Sequence, residues 1–258
     1  MSRLCTRDEI ISIYQKLITE LSEDSKKIIK PTIIPSQFFH AAKWDKKEVK
    51  VLFIAESPPW SFKNKDKRIE SDLDCRDEDY VYFYNEGCKN NFDGLANTIF
   101  QKLKIKGETR EEKLRDFRHC GYMLTDSIKC ILNKRYSCDD KFGKKRKIKN
   151  SVLKKIAEYS TREILISEID TIQPTTIVVL GKTALLSLKE AAKSSSHLKK
   201  QSGLPEELTD INDFTNIESD QKKLFQYNII LMPFPNNMNK RYQKAIDDGF
   251  SLIHKNTI

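Results

Sequence analysis

Acidic, amide and basic side chains stand directly after short apolar runs at four places in this 258-residue chain. Glu56 and Ser57 follow an apolar run in IAESPPW (54–60). Asp126 stands within GYMLTDSIKC (121–130), Gly181 begins a polar turn within IVVLGKTALLSL (177–188), and Phe234, Asn236 and Asn237 lie in MPFPNNMNKR (232–241). A carboxylate such as Glu56 can orient water or stabilise a developing positive charge. It can also be a surface group at a strand end. An ionised Asp126 offers acceptors only, so it can face the donor edge of a ligand or cap a turn. Asn236 and Asn237 carry amide donors. Lys240 and Arg241 suit phosphate contacts or a solvated helix start.

These groups need a scaffold, and the pattern of the chain predicts one. Residues 8–22 place Ile10, Ile11, Tyr14, Leu17, Ile18 and Leu21 at helical spacing. Val49–Glu56, Cys120–Lys129, Thr175–Leu180 and Tyr227–Met232 read as strands, and the first resembles a parallel strand buried on both faces. Helices are predicted after Asp93, over 151–172 before Pro174, from Gly181, and over 240–255, with a long loop at 61–92. Helix and strand alternate, which predicts an α/β fold: a three-layer α/β/α sandwich around a mainly parallel four-stranded sheet. In such sheets ligands bind beyond the carboxyl ends of the strands, where all four segments belong. The expected organisation is one domain over 1–258, with an N-terminal helical extension at 1–47 and a polar insertion at 193–222.

Lys and Arg number 46 against 37 acids, a net charge of +9. The excess argues for a polyanionic partner. The stretch KFGKKRKIKN (141–150) has six basic residues and no acid. Lys144, Lys145, Arg146 and Lys147 within it form a phosphate-contacting arm or a solvated loop. No stretch approaches the roughly 20 apolar residues of a membrane helix. The N-terminus lacks a secretory pattern, so an intracellular protein, cytoplasmic or at the nucleoid or nucleus, is expected. The six cysteines form no C-x-x-C pair and the four histidines no metal-binding pattern. No metal and no cofactor are expected.

In order and spacing the four segments resemble the motifs of the uracil-DNA glycosylase superfamily, across roughly residues 48–255. IAESPPW resembles its water-activating motif and GYMLTDSIKC its base-recognition strand, often L-T-N-x-x-K-C. IVVLGKTALLSL is similar to its L-G-x-x-A segment, and MPFPNNMNKR to its terminal H-P-S loop. The resemblance implies a base-flipping enzyme that binds DNA and hydrolyses the bond between a deaminated or modified base and its sugar. It implies catalytic roles for Glu56, Ser57 and Asn236, and base contacts from Asp126, Pro58 and Phe234. It also implies DNA contacts from Met238, Lys240 and Arg241, and stacking from Phe83 or Tyr84 in YVYFY (80–84), where core packing is the expected role of at least two of the five residues.

The departures matter chemically. Ser57 stands where the best-known branch has an acid. Asp126 replaces an asparagine; a carboxylate repels the O4 of uracil but suits guanine or hypoxanthine, which present N–H donors. Phe234 replaces a histidine that donates to the departing base, a loss typically of about 10²–10³-fold in rate. Of the iron–sulfur branch's cysteines only Cys130 has a counterpart, so no cluster is expected. The alternative expectation is a nucleic-acid-binding protein on the same fold without cleavage.

Overall fold

A computed structural model describes residues 4–22, 29–30, 49–57, 83–84, 94–132, 150–194, 222–224, 227–235 and 242–257. Along the chain these form α1 (Arg7–Thr19), β1 (Ile29–Lys30), β2 (Val51–Ala55), α2 (Gly94–Lys102) and α3 (Arg110–His119). Then come β3 (Tyr122–Asp126), β4 (Ile131–Leu132), α4 (Asn150–Ser160), a π-helical turn (Thr161–Leu165) and α5 (Ile166–Ile172). The series closes with β5 (Thr176–Leu180), α6 (Gly181–Ser194), β6 (Lys222–Leu224), β7 (Tyr227–Met232) and α7 (Gln243–Thr257).

The main sheet has the order β3-β2-β5-β7-β6. The first four strands are parallel, in a register that aligns Ala55 with Asp126, Ile54 with Val179, and Leu180 with Met232. The expected four parallel strands are therefore present, and a fifth, β6, pairs antiparallel with β7. A separate pair, β1 with β4, is antiparallel. Every residue of β2, β3 and β5 is buried. Alternation along the strands sorts the layers. Phe53 and Tyr122 point to one face, where both rings meet Phe117 of α3. Met232 points the same way, and α7 approaches it at Gly249, where an added Cβ would lie 2.6 Å from Met232 Cε. Thr125 points to the opposite face, where its hydroxyl donates to Glu168 of α5 at 3.0 Å.

Local sequence explains most element ends. Thr6 and Glu9 form a reciprocal capping box at the start of α1. Thr109 and Glu112 do the same for α3, and the two backbone N–H groups that Glu112 accepts hold its carboxyl below the usual range. Helix α3 has no counterpart in the sequence reading. Its apolar stripe on the core side is short, Leu114 and Phe117, so periodicity alone does not reveal it. The single helix expected over 151–172 is instead broken by the π-helical turn.

Candidate active site

All four parallel strands end together, so the segments that follow them share one end of the sheet. Residues 56–57, 127–130, 181–183 and 233–235 are neighbours there for that reason. Chain order within the sheet adds a second constraint. From β2 the chain moves outward to β3, then crosses back to β5 on the other side of β2 and continues outward to β7. The β2/β5 boundary is the topological switch point, where the connections part and leave a crevice. Glu56 follows β2 and Thr183 lies in the first turn of α6, which follows β5. Thr183 Oγ1 donates to Glu56 Oε2 at 2.8 Å, across that boundary. The N-terminal end of α6 carries the positive end of its dipole and favours an anion at this place.

The backbone of Glu56 is fixed from the other side. Its carbonyl accepts from Ile128 N–H at 2.9 Å and from Ser127 Oγ at 3.0 Å, while Ser127 N–H donates to Ala55 O at 2.8 Å. Ser127 O accepts from Ser160 Oγ at 2.7 Å. Ser160 Oγ accepts from the Tyr14 hydroxyl at 2.8 Å, and that hydroxyl accepts from Lys129 N–H at 2.7 Å. Tyr14, Ser127, Lys129 and Ser160 are all wholly buried. Burial pushes the Tyr14 phenol well above its ordinary value. Lys129 Nζ donates to Thr125 Oγ1 and to Glu168 Oε2, the latter at 2.5 Å, in a side-chain ion pair 1 % and 13 % exposed. The N-terminal helix is thus a structural support of the site. The sequence marks Tyr14 only as part of the apolar stripe of α1 and gives no site role to Ser127, Lys129, Ser160, Glu168 or Thr183. Lys129 carries a signal, a lysine within an apolar stretch; Ser127, Ser160, Glu168 and Thr183 carry none that local pattern reports.

Glu56 and Ser57 are half-buried at the mouth, and Phe234 is exposed. Asp126 lies at the same end but is buried, 2 % exposed. The expectation for Phe83 and Tyr84 is corrected: both are core residues, each 2 % exposed, and neither offers a face for stacking. The Phe83 ring packs on Tyr84, Phe100 and Phe117. The Tyr84 hydroxyl donates to Leu124 O at 2.9 Å and accepts from Leu124 N–H at 2.7 Å. It thereby satisfies the backbone of β3, the outer strand of the sheet, on the side away from β2. Burial pushes its pKa up.

Pro58, Asn236, Met238, Lys240, Arg241, Lys144, Lys145, Arg146 and Lys147 lie outside the described residues. Cys130 is buried beside Tyr14, and burial pushes its thiol up. Among the described residues no three His, Cys, Asp or Glu side chains are grouped to hold a metal ion, and no helix is long and apolar enough to cross a membrane. The chain matches no protein-family model and no curated protein.

Proposed function

We propose that this chain binds DNA and hydrolyses the N-glycosidic bond of a deaminated or modified base, with Glu56 as the water-orienting carboxylate. The observation that carries the reading is the Thr183–Glu56 hydrogen bond across the switch point of the sheet, at the end where Asp126 and Phe234 also lie. In the reaction the C1′–N bond breaks and a water oxygen bonds to C1′. The electron pair of the broken bond leaves with the base, and the water proton passes to Glu56 or onward to the base. A carboxylate beside C1′ stabilises the positive sugar in the transition state. Lys144, Lys145, Arg146, Lys147, Lys240 and Arg241 supply phosphate contacts, in keeping with the net charge of +9.

A panel of duplexes, each with one altered base, tests the reading. One or more is cleaved by the native chain, and Glu56→Gln lowers the rate by about 10²–10⁴-fold while duplex binding persists. Cleavage of none of them refutes the enzymatic reading. One observation favours a second reading, a binder without cleavage: Phe234 cannot donate to a departing base. That reading keeps salt-steep duplex affinity and loses all turnover.

A further inference from the structure

Phe234 is 40 % exposed, and Leu186 at 38 % is the other large hydrophobic side chain exposed among the described residues. An isolated exposed aromatic is unremarkable in itself. The setting of this one is specific. It is flanked by Pro233 and Pro235, both buried. Each proline ring fixes its own φ, and Pro235 also keeps Phe234 out of helical backbone. The backbone that carries the aromatic side chain is therefore restrained before anything binds. Its base rests on α6: an added Cβ at Gly181 would lie 3.5 Å from Phe234 Cβ and 3.9 Å from Phe234 N. Gly181 itself has φ +86°, a conformation that L side chains rarely adopt. Two residues on, Thr183 holds the Glu56 carboxylate. The first turn of α6 thus lies against both an exposed aromatic and a carboxylate, at the sheet end where ligands of this fold class bind. The aromatics first expected to stack, Phe83 and Tyr84, are used up in the core.

We infer that Phe234 is the stacking platform of the site, and that its ligand is the flat face of a nucleobase outside the duplex stack. The inference deepens the proposed function and rests on it for the class of ligand. Stacking of this kind tolerates any base, because every base has a π-face.

The test compares two duplexes that differ at one position, one with an unpaired base and one with an abasic residue there. The native chain binds the first about tenfold more tightly, the effect of one stacked base. Phe234→Ala loses that preference, while its affinity for the abasic duplex and the salt dependence of binding are unchanged, since phosphate contacts are untouched. Phe234→Trp keeps the preference, and it guards against a folding artefact in the alanine variant. A preference that survives in Phe234→Ala overturns the proposal, as does an equal loss on both duplexes or a native chain with no preference at all. The lesion panel separates this from catalysis. Cleavage with a preference indifferent to Phe234 sinks the platform alone. A preference lost in Phe234→Ala without any cleavage sustains the platform and sinks the enzyme.

Discussion

The two sides of the candidate site are held in place by opposite means. Around Glu56 and Ser127, buried polar groups from α1, β3, the segment after β3, α4 and α5 bond to one another and to the backbone: Tyr14, Thr125, Lys129, Ser160 and Glu168. Around Phe234 the support is steric: two prolines, the glycine that opens α6, and strand β7 behind them. A satisfied polar network in a low-dielectric interior fixes atoms tightly, and a gap in it is costly. Steric support restrains the backbone and leaves the side chain's outer face free. The first arrangement suits a group that must meet a reacting atom at one distance. The second suits a surface that accepts partners of similar shape.

Breaking the ion pair gives the largest expected effect. Lys129→Ala leaves the Glu168 carboxylate without its ammonium, and removal of one partner of a buried pair typically costs about 3–5 kcal/mol. Urea unfolding checks this, and the double replacement Lys129→Met with Glu168→Leu should recover most of it. Phe234→Ala, by contrast, should change stability by no more than about 0.5 kcal/mol, as exposed positions do. Equal costs at the two positions would erase the contrast between the two sides.

Next is Tyr14→Phe. It removes the acceptor of Lys129 N–H and the donor to Ser160, and a buried group left unsatisfied costs about 1–3 kcal/mol. Hydrogen exchange at Lys129 should quicken in this variant while exchange in α7 keeps its rate.

Alkaline pH sharpens the same contrast. Tyr14 and Cys130 are both held above their ordinary pKa by burial. Their stabilising contribution is complete below the unfolded values, about 8.5 for the thiol and 10 for the phenol. Above those values the unfolded chain releases protons that the folded chain retains. Stability therefore falls as pH rises, by about 1.4 kcal/mol per pH unit for each group. Unfolding midpoints measured from pH 8 to 11 should decline, and Cys130→Ala should flatten the first part of the decline.

The smallest effect belongs to Thr183→Val, which removes one half-exposed hydrogen bond to Glu56. Stability should drop by about 1 kcal/mol or less. Any cleavage activity should fall less than tenfold, well short of Glu56→Gln.

Sequence by itself determined the parallel strands and their order along the chain. VLFIA, TIVVL and NIILM are continuous apolar runs because parallel strands are buried on both faces, so composition alone marks them. It also brought Glu56, Asp126 and Phe234 to one end of the sheet, since each closes or follows such a strand. Tertiary structure decided what these residues touch. The hydrogen bond from Thr183 to Glu56 spans 127 positions and that from Lys129 to Tyr14 spans 115, and no local period reports a pairing at such separation. The fate of the aromatics was decided in the same way. Phe83, Tyr84 and Phe234 are all expected to contact a base, yet α2 and α3 pack on Phe83 and β3 holds Tyr84, whereas Phe234 emerges beyond the last parallel strand. Burial is a property of what packs alongside, and only the assembled layers supply that.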